Sequence, residues 1–307
     1  MRLNDLTNLM DELSHQTWFN LTAARRLNMR MGEVTITEVN LLAIARLIDR
    51  TGVNVELIAT RSDEKTTGTD FEIWVKLRSG RVLGFAVQAK IIYVHDGKYE
   101  YSSLGHGNKN GAQMKLLEAH AARRGAQPVH VFFNGWDTSD SKAPPTPRGK
   151  SAELYGCAAI MTPVVRRVRT GIGYRKGVNR AAPYLKVSIP WSELFLIPDV
   201  PADADGGDSG SDGDAQVRGG GPGGEELPAS GDTPLRPIDF TDRDFDALEA
   251  RLSQLRGDDS EPRRAAELPS YITRFRGVPR EQITDDDDNF DAPPFALLIE
   301  ESDDDNV

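Results

Sequence analysis

The sequence DFEIWVKLRSGRVLGFAVQAKIIYV, residues 70–94, contains two apolar runs separated by a Ser-Gly pair. The first run alternates polar and apolar side chains and the second is long and mostly apolar, so both are typical of strands. Because Ser-Gly favours a tight turn, the stretch predicts a β-hairpin. Successive strand residues face opposite sides, so the hairpin brings its polar side chains to one face. These are Asp70, Glu72, Gln88 and Lys90.

The flanking sequence predicts an α/β fold. Residues 37–50 and 110–124 have the apolar spacing of amphipathic helices, and residues 53–60 alternate like a strand. Further strands are expected at residues 129–133, 154–161 and 184–189. This order of helices and strands predicts one domain, residues 1–198, with a central mixed sheet flanked by helices.

The 307-residue chain has a formal net charge of -10 that is unevenly distributed. Residues 1–200 hold 27 basic and 19 acidic side chains, whereas residues 201–307 hold 10 and 28. Residues 199–236 are rich in Gly, Asp, Pro and Ser and predict a linker. Residues 237–307 predict a largely disordered acidic C-terminal tail with a short amphipathic helix at 241–255.

A basic body joined to an acidic tail is typical of a protein that binds a polyanion or regulates such binding. The tail either contacts the body within the chain or recruits a protein partner, and both interpretations stay open. No apolar run approaches the roughly 18 residues that a membrane-spanning helix needs, so no membrane role is expected. Cys157 is the only cysteine, which excludes a disulfide framework and fits a reducing cytoplasm.

Two polar residues begin the predicted helices on their inner faces. Glu38 precedes Leu41 and Leu42 at helical spacing, so its carboxylate either binds something or caps the helix through a capping box with Thr35. Gln113 has the corresponding place in the second helix. Lysine is rarely buried in so apolar a strand without a partner, which favours a functional role for Lys90.

Glu38 and the segments GTDFE (68–72) and VQAK (87–90), taken in this order, resemble the PD-(D/E)xK nuclease superfamily. The similarity is to variants in which Gln replaces the acid two residues before the lysine. It covers roughly residues 33–135, and the combination also resembles an uncharacterised bacterial family of this type. The resemblance implies a restriction-endonuclease-like core.

What the resemblance implies is a Mg²⁺-dependent nuclease, with Mn²⁺ as the alternative ion, that acts on DNA rather than RNA in bacterial defence or restriction. The implied metal ligands are Glu38, Asp70, Gln88 and the carbonyl of Ala89. Lys90 would orient or deprotonate the attacking water and stabilise charge on the phosphate. Glu72 would restore the charge that Gln88 lacks, or else lie on a solvated strand face or pair with Lys76 or Lys90. Gln113 would position substrate or support the metal ligands.

A basic stretch at residues 164–176 predicts contact with a nucleic-acid backbone, or a solvated basic surface. Its charged members are Arg166, Arg167, Arg169, Arg175 and Lys176. Cleavage of both strands of a duplex would favour a homodimer. The alternative function is a catalytically inactive nucleic-acid-binding module, which the neutral Gln88 favours. The nuclease hypothesis requires Asp70 and Lys90 to share one cleft with an inward-facing Glu38.

Overall fold

A computed structural model describes residues 4–46, 53–59, 64–101, 104, 107–108, 111–147, 150–172, 179–199, 234–239, 241–257, 263–278, 282 and 292–301. Its helices are α1 (Asn4–Arg26), α2 (Glu33–Ala45), α3 (Glu64–Thr67), α4 (Gln113–Arg124), α5 (Thr162–Ile172), α6 (Ala181–Leu185), α7 (Asp242–Arg256) and α8 (Ser270–Phe275). Two 3₁₀ turns span Ala152–Gly156 and Trp191–Phe195.

The strands are β1 (Val53–Ala59), β2 (Phe71–Lys76), β3 (Val82–His95), β4 (Lys98–Tyr101), β5 (Gly107–Asn108), β6 (Gly111–Ala112), β7 (Gln127–Phe133), β8 (Cys157–Met161), β9 (Ile189–Pro190), β10 (Leu196–Pro198), β11 (Leu235–Pro237) and β12 (Phe295–Glu301). The main sheet has the order β1-β12-β2-β3-β7-β8-β9, and β4 pairs with β3. The predicted mixed α/β fold, with a central mixed sheet flanked by helices, is confirmed.

The hairpin at the centre of the sheet forms as the sequence predicts. β2 and β3 are antiparallel, with Phe71 opposite Val87 and Lys76 opposite Val82. β3 then connects through α4 to β7, which lies parallel on the other side of β3. Parallel neighbours need such a crossover, and a helix usually provides it.

Each face of the hairpin packs against different helices. Ile73 and Phe85 belong to a large core that also contains Leu41 of α2. Trp74 lies in a second core with Leu117 of α4 and with residues of α8. The alternation of side chains along β2 therefore separates the two cores.

The end of the chain differs from the prediction of an acidic tail separate from a domain of residues 1–198. β12 lies between β1, to which it is antiparallel, and β2, to which it is parallel. Leu297, Leu298 and Ile299 are at most 1% exposed. A continuous apolar run is typical of a strand buried on both faces, so residues 295–301 belong to the sheet.

The predicted amphipathic helix near 241–255 is present as α7, capped by Thr241, whose side chain accepts from the Asp244 amide at 3.2 Å. Arg81, in the turn between β2 and β3, contacts three carboxylates of this helix. They belong to Asp242, Asp246 and Glu249, at 3.5, 2.9 and 3.4 Å. The described part of the acidic segment thus contacts the body within the chain.

Two other predictions of secondary structure are wrong. Residues 184–189 form no long strand: α6 precedes the two-residue β9, because Ala181, Tyr184 and Leu185 are buried at helical spacing. The first predicted helix begins at Glu33, directly after Gly32, rather than at residue 37. Within the described residues, no helix has the length and apolarity that crossing a bilayer requires.

Candidate functional site

The candidate site lies where β3 extends past the end of β2. β2 pairs with β3 only as far as Val87, whereas β7 continues along the other edge of β3 to Ile91. On the edge of β3 beyond its pairing with β2, side-chain carboxylates rather than a strand accept hydrogen bonds from the β3 amides. Asp70 accepts from the amide of Ala89 at 2.6 Å, and Glu33 accepts from the amide of Ile91 at 3.0 Å.

Lys90 lies between these two amides and is 5% exposed. Its Nζ is 3.2 Å from Oε1 of Glu33. A buried ammonium group is costly without a partner, and the Glu33 carboxylate supplies one. The structure therefore brings Asp70 and Lys90, which the sequence placed together, to the same short length of β3.

Glu38 does not lie in this site, and the prediction that it ligates a metal there is wrong. The buried side of α2 consists of Ile36, Thr37, Asn40, Leu41 and Ile44, whereas the Glu38 side chain is exposed. The physical reason is a shift of the helical stripe. The helix begins four residues before the predicted start, so Thr35 lies inside the helix and forms no capping box. The buried side of the helix then excludes Glu38.

Glu33 is the residue of the candidate site that sequence reasoning missed. It stands three and four residues before Ile36 and Thr37, which places its side chain over the buried stripe. A helix start directly after Gly32 was the available signal. A carboxylate in the first turn of a helix is also favoured by the helix dipole.

Gln88 supports the turn that leads into Asp70. Its amide nitrogen donates to the carbonyl of Gly68 at 3.1 Å. Gly68 has φ +69°, and a Cβ there would lie 2.5 Å from the carbonyl of Gln113. Only glycine fits this approach, so the turn before Asp70 is held against the first turn of α4. Gln113 therefore lies beside the site, with its backbone carbonyl close to Gly68.

Glu72 lies outside the site, contrary to the prediction, because it is two residues deeper in the sheet and covered by α4 and α8. It is 0% exposed. Its carboxylate accepts from Nε1 of Trp74 at 2.5 Å and from the hydroxyl of Tyr271, and it lies 2.5 Å from Nε2 of His120. Burial and the Glu72 charge raise the pKa of Tyr271 well above its usual value.

His130 is a further buried neighbour of the site. It lies opposite Gln88 in the pairing of β3 with β7, and its Nδ1 is 3.0 Å from the hydroxyl of Thr162. Burial, together with the charge of Lys90, lowers its pKa to about 3. The ring is therefore neutral at pH 7.

The arginines of the basic stretch, which begins on α5, are largely engaged within the chain. Arg166 lies 2.9 Å from a carboxylate oxygen of Glu118. Arg167 donates to the carbonyls of Arg256 and Gly257 at 2.6 and 2.5 Å, at the C-terminal end of α7. Arg169 is half-buried on the same helix. Arg175 and Lys176 lie outside the described residues.

The donor set at the site suits a hard cation. Asp70 and Glu33 offer two carboxylates, and the Ala89 carbonyl points to the same edge as its amide. The described residues contain no group of three or more His, Cys, Asp or Glu placed to hold a metal. Mg²⁺ is usually bound through one or two carboxylates plus substrate phosphates, so two carboxylates fit this ion.

Comparison with known proteins gives one result. No curated protein and no solved structure matches the chain. One family model, described as a family of unknown function (DUF6615), matches residues 6–305. The match includes β12 as well as the N-terminal helices, and it spans almost the whole sequence. The protein belongs to the DUF6615 family.

Proposed function

We propose that this protein is a metal-dependent nuclease that hydrolyses phosphodiester bonds of nucleic acid, with DNA as the favoured substrate. The observation that supports the proposal lies at the edge of β3. There the carboxylates of Asp70 and Glu33 accept hydrogen bonds from the amides of Ala89 and Ile91, and Lys90 is the residue between these two amides. Acidic oxygens and an ammonium group at one short length of strand are the groups that phosphodiester hydrolysis needs.

The chain's own residues have distinct tasks in this proposal. Asp70 and the Ala89 carbonyl would hold Mg²⁺ or Mn²⁺, and Glu33 would complete the ligand set while it orients Lys90. The bound ion would lower the pKa of a coordinated water and stabilise the leaving oxygen. Lys90 would orient the attacking water and stabilise negative charge on the phosphate. Gln88 and Gly68 keep Asp70 in place, which makes them positioning residues.

The arrangement of elements also supports the proposal. An antiparallel hairpin that carries Asp70 and Lys90, then a helix and a parallel strand, is the order that the sequence resemblance implies. The sequence-based requirement for an inward-facing Glu38 is not met, and the proposal assigns that role to Glu33 instead. On the same resemblance we assign the protein to bacterial defence or restriction, in a cytoplasm that the buried Cys157 fits. Cleavage of both strands would favour a homodimer.

A second candidate is a nucleic-acid-binding module without catalytic activity. The neutral Gln88, whose amide nitrogen is used by Gly68, favours it, because the site holds one negative charge fewer than the acidic form of the motif. The Lys90–Glu33 ion pair also lowers the net charge available to a cation.

Incubation of the full chain with supercoiled plasmid and Mg²⁺ or Mn²⁺ separates the two functions. The nuclease predicts nicked or linear plasmid with the wild-type protein and none with Lys90→Ala or Asp70→Asn. A matched control is Glu38→Gln, which changes an exposed glutamate of α2 and should leave cleavage intact. Binding without scission under both metals would support the module and contradict the nuclease.

A further inference from the structure

A two-stranded arm continues from the candidate site. After Ile91, where its pairing with β7 ends, β3 pairs with β4, from Ile92 opposite Tyr101 to His95 opposite Lys98. Asp96 and Gly97 form the tip, with φ values of 51° and 69°. Positive φ at both central residues is typical of the tight type I′ turn. The tip lies about 20 Å along the strand from Lys90, at about 3.3 Å per residue.

One face of this arm is anchored to the body. Ile92, Tyr99 and Tyr101 are buried. The Tyr99 hydroxyl donates to Asp140 at 2.8 Å, and the Tyr101 hydroxyl donates to Asn134 at 2.7 Å. These contacts fix the direction of the arm relative to the site, since β3 is continuous through both.

The opposite face presents polar and aromatic side chains to solvent. Tyr93 is 42% exposed, and His95 and Lys98 lie directly opposite each other near the tip. His95 lies 3.3 Å from Asp96, and the half-buried Glu100 lies opposite Tyr93. Lys142 places a second ammonium group beside the tip, because a Cβ on Gly97 would lie 3.0 Å from its Nζ; its amide donates to Asp140, which also accepts from Tyr99 on the anchored face.

We propose that this arm enters a groove of duplex nucleic acid beside the scissile phosphate. The inference rests on the proposed function and names duplex as its substrate class. A B-form major groove is wide enough for a two-stranded β-ribbon. Lys98 and Lys142 would neutralise backbone phosphates, and the exposed ring of Tyr93 would contact a base or sugar. The anchored face keeps the arm at a constant distance from Lys90.

The test is binding of the full chain to a labelled duplex of about 20 base pairs, and to one of its strands, measured by fluorescence anisotropy. Ca²⁺ replaces Mg²⁺ so that binding is measured without cleavage. The double variant Tyr93→Ala/Lys98→Ser should weaken duplex binding roughly 10-fold or more. It should also reduce the slope of log affinity against log salt by about 1.

Val94→Ala is the matched control, because Val94 is 44% exposed, neighbours Tyr93 and projects from the other face. It should leave duplex affinity within about twofold. Equal affinities of the double variant and the wild type would overturn the proposed role of the arm. A loss of affinity with Val94→Ala as large as that of the double variant would also overturn it. A double variant that melts at a lower temperature is replaced by Tyr93→Ser alone, which is judged by duplex affinity and not by the salt slope, because it removes no charge.

The outcomes distinguish failure of the arm from failure of the proposed nuclease function. Wild-type protein that binds duplex but never cuts it contradicts the nuclease, while the arm is still judged by its variants. Wild-type protein that cuts duplex while the double variant binds normally contradicts the arm alone. Preference for the single strand over the duplex overturns the assignment of duplex as substrate. Absence of any binding by the wild type overturns both.

Discussion

The ammonium group of Lys90 lies 3.2 Å from the carboxylate of Glu33, a residue 57 positions away in sequence. This pair joins the first turn of α2 to the middle of β3. Because each charge is partly removed from water, the loss of either partner leaves the other uncompensated. The site is therefore assembled by the packing of a helix on a strand edge rather than by a local motif.

Glu33 and Glu38 provide a direct test of the site, since both are glutamates of α2. Glu33→Gln should lower plasmid cleavage by about 10²-fold or more, because it removes a charge from the group that orients Lys90 and holds the metal. Glu38→Gln should cleave like the wild type, since its side chain is exposed. Initial rates of nicking measure both. Equal rates for the two variants would contradict the site as described.

The C-terminal strand should be essential to stability. Leu297→Ala should lower the free energy of unfolding by about 2–5 kcal/mol, because it empties a buried position of a central strand. Leu27→Ala, at a position 69% exposed, is the control and should change it by about 0.5 kcal/mol or less. Urea titration followed by circular dichroism measures both.

The segment between β10 and β11 should tolerate shortening. β10 and β11 are antiparallel, and the amide of Asp199 donates to the carbonyl of Pro234 at 2.7 Å. Asp199 and Pro234, which flank residues 200–233, therefore lie next to each other, so a short Gly-Ser turn can connect them. Replacement of residues 202–232 by such a turn should leave the melting temperature close to that of the wild type. A large drop in melting temperature would show that this segment stabilises the fold.

Tyr271 should stabilise the C-terminal segment through the buried carboxylate of Glu72. Tyr271→Phe removes one donor to that carboxylate and should lower the free energy of unfolding by about 1–3 kcal/mol. Tyr93→Phe removes an exposed hydroxyl and is the matched control. Equal stability of the two variants would show that the Tyr271 hydroxyl makes no net contribution.

His130 should make the fold sensitive to acid. Its pKa is about 3 in the folded protein and near 6.5 when unfolded, because burial and the Lys90 charge disfavour the protonated ring. Below pH 6.5 the His130 ring is protonated in the unfolded chain but stays neutral in the folded protein, so acid favours unfolding. Above pH 6.5 the ring is neutral in both states and does not lower the free energy of unfolding. That free energy falls toward pH 3 by at most about 1.4 kcal/mol per pH unit.

The measurement is urea unfolding of the wild type and His130→Gln at pH values between 7 and 4. The variant should lose less stability over this interval, since glutamine does not titrate. Parallel pH profiles for the two proteins would show that His130 does not contribute to the acid sensitivity.

Local patterns were enough to predict several parts of this protein. Alternation along residues 70–77, a Ser-Gly turn and an apolar run placed β2 opposite β3, so Asp70, directly before β2, came to the edge of β3 next to Lys90. The capped helix α7 was also evident from apolar spacing and Thr241. Each of these features depends on residues close together in sequence, whose geometry follows from strand and helix periodicity.

Glu33 and β12 were decided only by tertiary structure. The phase of α2 depends on which side packs against the sheet, and α2 is apolar enough to bury either side, which is why Glu38 was misplaced. The run FALLIEE carries a strand pattern, but its partners β1 and β2 lie more than 200 residues earlier. Periodicity within a segment states which side chains share a face, whereas long-range packing selects the surface that the face meets.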